Sequence, residues 1–289
     1  MVNTDSGKDA IKRISCKKGN LNLDERTHIM GILNITPDSF SDGGLFCDPD
    51  LAVTHALKLV DDGADIIDVG GETTKPGSKP ISADQELARV IPVVKRLSKM
   101  IDVPLSIDTY KSAVAKRAIE AGAEMINDIS ALRFDPDMKV TAAKYGVPIV
   151  LMHMKGTPLN MQKDPRYEFL ISEIIGYLKE SIEIAQKAGI HPDRIIIDPG
   201  IGFGKSIKKR HNLEIIRRLS EFETLGMPIL IGPSRKAFIG EILGTDVTQR
   251  EEGTVAAVCA AVLNGANIIR VHNVGMIKRA VKIIDAIKI

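Results

Sequence analysis

Polar side chains able to bind or catalyse stand at the ends of short apolar runs along most of this chain. In chain order they are Asn34, Asp68, Glu72, Asp108, Asn127, Asp128, His153, Asp198, Ser234, Arg235, Lys236, Arg270 and His272. The earlier amides and carboxylates could bind a nitrogen-rich heterocycle through paired hydrogen bonds. The later Lys, Arg and His side chains could bind an anion such as a phosphate group. The pattern therefore predicts a site with one part for a heterocycle and one for an anion.

Each of these residues also has a plain structural explanation when it is taken alone. Asp198 precedes Pro199 and Gly200 and could cap a turn. Lys236 could be a solvated lysine at a helix start, and His272 could be a satisfied core histidine. The joint placement of so many polar groups at the ends of apolar runs favours a site.

Eight apolar runs must position these side chains. They cover 29–34, 65–69, 104–108, 124–128, 148–153, 194–198, 228–232 and 267–272. Runs such as Ile195–Ile197 do not alternate, which is typical of a parallel sheet covered on both faces. Longer amphipathic segments separate the runs and predict helices at 51–62, from Ser82 onward, and at 109–121, 169–188, 208–224, 254–263 and 275–287.

Alternating strands and helices in this number predict an α/β fold, a single (β/α)8 TIM barrel whose strand ends meet at one rim. A doubly wound open sheet is the alternative, but no glycine-rich fingerprint follows Leu33. The first residues carry little pattern, so we expect a short, loosely docked N-terminal extension at 1–20 and a barrel domain at 21–289. The extension could plug the bottom of the barrel, although no sequence pattern indicates this.

The composition restricts the classes of partner. A net charge of +2 and few aromatic residues argue against a nucleic-acid surface. No apolar stretch reaches membrane-spanning length, and Met1 to Lys12 lacks an apolar signal core. Three scattered cysteines, without metal-binding spacing, favour a reducing compartment. We therefore expect a cytoplasmic protein that acts on small molecules, without a nucleic-acid or membrane partner.

Two motifs around Gly202 resemble nucleotide-binding loops without matching them. The segment 202–206 ends like a phosphate-binding P-loop, but Pro199 stands where that loop requires its first glycine. Glycines 200, 202 and 204 lack the spacing of a dinucleotide fingerprint. Neither nucleotide-binding function is therefore predicted.

Eight short motifs, in the same order along the chain, resemble the signatures of the dihydropteroate synthases from about residue 21 to the C-terminus. They cover 31–44, 63–77, 106–109, 126–128, 151–154, 198–205, 232–236 and 270–272. The resemblance implies a (β/α)8 barrel of the pterin-binding family, acting as a transferase in folate biosynthesis. Such an enzyme condenses 6-hydroxymethyl-7,8-dihydropterin diphosphate with 4-aminobenzoate and releases diphosphate.

The resemblance also implies roles for the residues of the heterocycle part. Asp108, Asn127 and Asp198 should hydrogen-bond the edge of the pterin, and Lys236 should lie beside its ring. Of these, Asp108, Asp198 and Lys236 are expected to be catalytic.

For the anion part, the resemblance implies that Arg270 and His272 hold the diphosphate and take part in catalysis. Asn34 should ligate a Mg²⁺ cofactor beside it. The family further suggests a homodimer, which contacts through its outer helices.

The second substrate should lie in a pocket partly formed by two loops. The resemblance places Thr74, Phe40, Pro76 and Phe203 there. The loops after the first and second apolar runs are expected to close over the site and exclude water. Asp38 lies in the first of these loops.

Three positions depart from the family pattern: Lys75 replaces Arg, Ala237 replaces Ser and Asn273 replaces Asp. Lys75 keeps the charge but loses the planar fork of arginine, and Ala237 leaves only a backbone N–H for the aminobenzoate carboxylate. These departures motivate an alternative, a non-catalytic pterin-binding paralogue. A pterin-dependent methyltransferase on the same barrel is a third hypothesis, which retention of both the Thr-Pro-Asp-Ser-Phe loop and Ser-Arg-Lys disfavours.

Overall fold

A computed structural model of the chain describes residues 13–36 and 48–288. A two-stranded hairpin, β1 (Arg13–Cys16) and β2 (Gly19–Asn22), precedes a sheet of eight parallel strands. These strands are β3 (His28–Asn34), β4 (Ile66–Gly70), β5 (Leu105–Asp108), β6 (Met125–Asp128), β7 (Ile149–Met152), β8 (Ile195–Asp198), β9 (Leu230–Ile231) and β10 (Ile268–Val271). Each strand overlaps a predicted apolar run, with ends that differ by a few residues.

The eight strands close into a barrel. Their order in the sheet is β8-β7-β6-β5-β4-β3-β10-β9, so only β8 and β9 remain to be joined. A parallel bridge between Ile197 and Ile229 joins them, and Ile197 N donates to Pro228 O at 2.9 Å. The predicted TIM barrel is therefore confirmed, and the open doubly wound sheet is excluded.

The helices of the described residues lie on the outside of the barrel. They are α1 (Pro49–Asp61), α2 (Ala83–Met100), α3 (Ser112–Ala121), α4 (Met138–Tyr145), α5 (Leu170–Lys187), α6 (His211–Arg217), α7 (Ala237–Leu243), α8 (Glu251–Leu263) and α9 (Val274–Lys288). Ser82 caps α2 as expected, because its side chain accepts from Gln85 N at 3.2 Å while Ser82 N donates to Gln85 Oε1. Among these helices, none is both long and apolar enough to cross a membrane.

Two features of the helical layer differ from prediction. The sequence pattern does not predict helices α4 and α7, because segments of eight and seven residues show too few turns for a clear period. The expected helix at 208–224 is divided into α6 and a 3₁₀ segment, Leu219–Leu225. The division falls at Arg218, whose φ of −109° and ψ of 24° leave the helical region.

The non-alternating strands are explained by apolar layers on both faces of the sheet. One layer packs the sheet against the helices, and another fills the bottom of the barrel. The bottom layer includes Ile66, Met125, Ile196 and Ile268, each two residues before a polar residue on the same strand. Because side chains two apart on a strand share a face, each strand places an apolar residue low and a polar residue at the rim.

The hairpin closes the bottom of the barrel. Ile14, Leu21 and Leu23 are buried in the same apolar cluster as the bottom layer. Lys18 Nζ donates to the carbonyls of Ser98 and Ile101 at 2.5 and 2.6 Å. The predicted loose docking of the N-terminal extension is therefore wrong for 13–20, where apolar burial fixes the hairpin. The boundary at residue 20 stays a prediction, and the hairpin crosses it.

Candidate active site

The register of the sheet brings the predicted site residues together at the carboxyl ends of the strands. Asn34 lies opposite Gly70, which in turn lies opposite Asp108. Asp108 pairs with Asn127 on the next strand. Asp198 ends β8 opposite Met152. The predicted common rim is therefore present for residues that lie far apart in sequence.

Arg270 lies at the centre of this rim and binds two carboxylates. Its Nε donates to Asp68 Oδ2, and its Nη2 donates to Asp108 Oδ2, each at 2.7 Å. Asn127 Nδ2 donates to the same Asp68 oxygen at 3.0 Å. Asp68 is fully buried and its Oδ1 has no partner among the described residues. The four side chains form one charged network in which Arg270 keeps Nη1 as its remaining donor nitrogen.

The two predicted catalytic carboxylates have raised pKa values. Burial raises the pKa of Asp108 to about 7, although the neighbouring Arg270 favours the ionised form. Burial raises the pKa of Asp198 to about 6, opposed by the backbone N–H of Gly200, which donates to Asp198 Oδ1 at 2.7 Å. Asp198 therefore does cap the turn that follows it, while it also faces the site. Both acids change charge close to neutral pH.

Lys236 brings a second cation to the rim. It precedes α7, and its ammonium lies 4.5 Å from the ring centroid of Phe203. Burial and the nearby Arg270 lower the pKa of Lys236 to about 8, while Asp198 and Asp108 favour its charged form. The structure thus places a lysine of weakened basicity between two carboxylates and an aromatic ring.

His272 directly follows β10, two residues after Arg270, and is oriented by Ser234. Ser234 Oγ lies 2.9 Å from His272 Nδ1 and accepts from the backbone N–H of His272 at 3.3 Å. Burial and the neighbouring cations lower the pKa of His272 to about 3, so its ring is neutral. With its oxygen accepting from the backbone, the Ser234 hydroxyl can donate to Nδ1. This leaves Nε2 as the N–H donor of the ring.

Asn34 offers an oxygen for a metal ion. Its Oδ1 and Asp108 Oδ2 each lie 3.6 Å from the position that a Cβ on Gly70 would take, so the glycine leaves space between them. In the part of the chain that the structure describes, no group of three or more His, Cys, Asp or Glu could hold a metal ion. A single amide oxygen fits Mg²⁺, which is commonly bound by few protein ligands together with waters and substrate phosphates.

The loop after β4 carries two of the predicted pocket residues, half-buried Thr74 and exposed Pro76. It is held at its start by Glu72, which accepts from Tyr110 Oη at 2.8 Å and forms an ion pair with Lys111. Further along, Gly77 N donates to Pro158 O at 2.9 Å. These contacts hold the loop against the rim. Of the other two pocket residues, Phe203 lies beside Lys236, while Phe40, like Asp38, lies outside the described residues.

Besides Glu72, three polar residues of the predicted rim make structural contacts instead. The carboxylate of Asp128 accepts from Ser130 N, Ser130 Oγ and Leu132 N at 2.7 to 2.8 Å and so stabilises a tight turn. Arg235 forms an ion pair with Glu251 at 2.5 Å. His153 accepts a hydrogen bond from Lys205. A short apolar run followed by a polar residue therefore does not by itself distinguish a site residue from a turn residue.

Sequence reasoning misses two residues. The pattern places Asp68 at the rim but assigns it no role in binding, although it anchors Arg270. Lys205 falls within the segment that does not match a P-loop, yet it is fully buried. A lysine within a glycine-rich loop next to Asp198 is the only signal, and it does not indicate burial.

The three departures from the family pattern lie around this network without removing any of its charges. Lys75 and Ala237 are both exposed. Asn273 caps α9, since its Oδ1 accepts from Met276 N at 3.1 Å. All three positions leave Asp68, Arg270 and their partners in place.

An eight-stranded barrel with paired carboxylates, an amide and cations at one end defines an enzyme site for a polar heterocycle and an anion. Comparison with known proteins is consistent with this class. Residues 30–272 match the family described as pterin binding enzyme. The dihydropteroate synthase of Bacillus subtilis is 46% identical over 278 residues, which cover 96% of this chain and 94% of that protein.

Solved structures of similar proteins support the same family assignment. The dihydropteroate synthase of Yersinia pestis, crystallised with a sulfonamide drug, has a TM-score of 0.90 and 43% identity, covering 96% of this chain and 99% of that one. The Xanthomonas albilineans enzyme, in complex with 7,8-dihydropteroate, has a TM-score of 0.86 and 42% identity, covering 96% and 98%. The chain belongs to the pterin-binding enzymes and, within them, to the dihydropteroate synthases, which are transferases of folate synthesis. These relatives lend no support to a non-catalytic paralogue.

Proposed function

We propose that this chain condenses 6-hydroxymethyl-7,8-dihydropterin diphosphate with 4-aminobenzoate, forming 7,8-dihydropteroate and diphosphate. The observation that carries the proposal is the placement of Asp108, Asn127 and Asp198 beside Arg270 and Lys236 at one end of the barrel. The Xanthomonas relative binds 7,8-dihydropteroate, which is the product of this reaction.

The pterin ring lies against the carboxylates and the amide. A pterin presents ring N–H groups, an amino group and a carbonyl, and Asp198, Asp108 and Asn127 supply matching acceptors and donors. Because these groups are buried, each unmatched hydrogen bond would be costly, so the pocket selects for the heterocycle. Lys236 lies beside the ring and donates to it.

The diphosphate lies at the cationic side of the rim. Arg270 is pre-oriented by Asp68 and Asp108, and its remaining Nη1 donates to the anion. The Nε2–H of His272, oriented by Ser234, donates a second hydrogen bond. Asn34 is the residue that would hold Mg²⁺ beside the diphosphate. When bound, this ion supplies electrostatic stabilisation of the leaving group.

The reaction begins with cleavage of the bond between the pterin methylene carbon and the diphosphate oxygen. The electron pair leaves with the diphosphate, whose growing charge Arg270 and His272 stabilise. The ionised carboxylates of Asp108 and Asp198 stabilise the positive charge left on the pterin. The amine nitrogen of 4-aminobenzoate then forms the new C–N bond and releases a proton.

The second substrate approaches from the side of Phe203, Thr74 and Pro76. Phe203 packs beside Lys236 and gives an apolar wall for the benzene ring. The family resemblance also assigns Phe40, which lies outside the described residues, to this pocket. Exclusion of water from the carbocation-like intermediate would prevent its hydrolysis.

The assay that tests the function mixes both substrates with Mg²⁺ and measures diphosphate release. We expect release that depends on both substrates and produces dihydropteroate. A protein that binds the pterin in calorimetry without turnover would instead be a non-catalytic paralogue.

Removing Mg²⁺ tests the cofactor. We expect chelation to abolish turnover and to weaken the binding of inorganic diphosphate in calorimetry, with both restored by Mg²⁺. Asn34→Ala should raise the Mg²⁺ concentration needed for diphosphate binding. An unchanged Mg²⁺ requirement in this variant would remove Asn34 from the metal site.

We also propose that the protein is a homodimer formed through α7, α8 and α9. Beyond Glu252, α8 carries no charged residue up to Leu263, so it is apolar on its outer face as well as its inner one. Exposed apolar side chains on these helices include Ile242, Leu243, Leu263, Ile283 and Ile287. A second copy of the chain would cover this face.

Sedimentation tests the assembly. Wild-type protein should sediment as a dimer, and Leu263→Glu should sediment as a monomer. Leu51→Glu is the matched control, because Leu51 is an exposed apolar residue of α1, outside the proposed interface. This variant should stay dimeric. A monomeric wild-type protein would contradict the proposal.

A cytoplasmic location remains our proposal as well. Cys16 and Cys259 are free thiols, which suits a reducing compartment. Fractionation of the source cells, with recovery of the protein in a membrane or secreted fraction, would argue against it.

A further inference from the structure

Lys205 is among the largest fully buried side chains of the described residues and has no part in the mechanism above. Its ammonium donates to His153 Nδ1 at 2.9 Å and to the carbonyls of Gly200 and Phe203 at 2.8 and 2.9 Å. These three acceptors match the three N–H groups of the ammonium. A lysine is rarely buried unless its charge is satisfied in this way.

His153 is suited to accept this hydrogen bond. Burial and the adjacent Lys205 ammonium hold the pKa of His153 well below its usual value, so the ring is neutral. The ring also packs edge-on against Tyr177, with centroids 4.6 Å apart. Lys205 therefore has a fixed partner just after β7, outside the loop that it supports.

The supported loop, 199–206, has little rigidity of its own. Gly200, Gly202 and Gly204 all have positive φ angles, between 63° and 85°. A side chain on Gly200 would place its Cβ 1.9 Å from His153 O, and this close packing makes glycine necessary there. Glycine-rich backbone of this kind depends on side chains from outside to hold one shape.

Lys205 fixes the part of this loop that carries Phe203. The two loop carbonyls that it binds belong to Phe203 and to the residue three positions before it. The Phe203 ring lies under the Lys236 ammonium and packs against a buried cluster that includes Met152, Met154 and Met161. If the ammonium were lost, the loop could rotate this ring away from the site.

Asp198 does not depend on Lys205 to the same degree. It belongs to β8, and its carbonyl accepts from His153 N at 2.8 Å as part of the barrel sheet. The pterin side of the site therefore rests on strands. The Phe203 side rests on a loop whose Gly200 and Phe203 carbonyls are bound by Lys205, while Gln162, Tyr167 and Asn212 bind its Gly202 and Gly204 backbone.

We propose that Lys205 is a positioning residue for the second substrate, holding the loop after β8 so that Phe203 forms the wall of the aminobenzoate pocket. The inference rests on the proposed function, because it is expressed as an affinity for 4-aminobenzoate.

The test is Lys205→Met, which keeps the length of the side chain and removes its donors. Lys208→Met, at an exposed position three residues further on, is the matched control. Steady-state rates are measured with each substrate varied, and pterin binding is measured by calorimetry. We expect Lys205→Met to raise the KM for 4-aminobenzoate about 10-fold or more, as for the loss of charged hydrogen bonds. The affinity for the pterin should change less than about threefold, and Lys208→Met should match wild type.

A purely structural lysine would give a different result. It would reduce the folded fraction, and so the apparent kcat, while leaving both KM values unchanged, and this outcome would overturn the proposal. Equal increases in both KM values would overturn it too. An inactive wild-type protein would count against the proposed function and not against Lys205.

If Lys205→Met does not fold, a pair of variants at its partner decides the question. His153→Asn keeps an oxygen acceptor near the position of Nδ1, whereas His153→Leu removes it. We expect His153→Leu to raise the KM for 4-aminobenzoate several-fold more than His153→Asn. Equal KM values in the two variants would contradict the proposal.

Discussion

The two ends of the barrel are built from the same eight strands but use opposite chemistry. At the amino end, the hairpin and the strands bury an apolar layer that includes Ile14 and Ile196. At the carboxyl end, two residues further along β8, Asp198 faces a network of charges centred on Arg270. The comparison shows that one strand can serve stability at one end and chemistry at the other, since its inward positions repeat every two residues.

The largest effect should come from the charged end. Asp198→Asn and Lys236→Ala should each lower kcat/KM about 100- to 1,000-fold, because each removes a preorganised charge from the reacting centre. The melting temperature should change little, because neither side chain belongs to the apolar layers. Steady-state kinetics and calorimetric melting check both quantities. A large loss of stability with normal activity would mean that these residues are structural.

Ile196→Ala, two residues before Asp198 on the same strand, should lower stability while leaving activity nearly unchanged. Removing a fully buried side chain from the bottom layer should lower the free energy of unfolding by about 3 kcal/mol. Below the melting transition, kcat/KM should stay near the wild-type value. Denaturant titration and kinetics on the same sample test the contrast, and a fall in activity comparable to that of Asp198→Asn would show that the two ends are coupled.

The pH dependence of kcat/KM should report the charged end alone. Activity should rise with pH through about 6 to 7, because Asp198 and Asp108 have pKa values raised to about 6 and about 7 and act as carboxylates. It should fall above about 8, where Lys236 loses its proton. A bell-shaped profile is therefore expected. A flat profile from pH 6 to 8 would contradict these assignments.

The smallest effect should come from the edge of the hairpin. Lys18→Ala removes two hydrogen bonds to the carbonyls of Ser98 and Ile101 and should lower the free energy of unfolding by about 1 to 2 kcal/mol. Activity should not change. Lys17→Ala, at the exposed neighbouring position, serves as the control in denaturant titration. Equal stability of the two variants would show that the carbonyl contacts of Lys18 contribute little.

The sequence alone determined the architecture and the composition of the rim. Runs such as Ile195–Ile197 are apolar on successive residues because both faces of a parallel sheet are covered, and this signal is local. Polar residues at or near the ends of these runs are local signals too, so the order of residue types along the chain is enough to place Asp108, Asp198 and Arg270 at the rim, whereas their roles are implied by the resemblance to a known family. The fixed direction of parallel strands then places them at one end.

Only the tertiary structure decided which of these residues interact. Arg270 and Asp68 are 202 residues apart, and they meet because β10 and β4 pair with opposite edges of β3, not because of any local pattern. Contacts between distant segments likewise explain the docked hairpin and the burial of Lys205, whose ammonium binds His153 52 residues earlier in the chain. Sequence periodicity reports whether a residue is covered, whereas the partner that covers it depends on how distant segments pack.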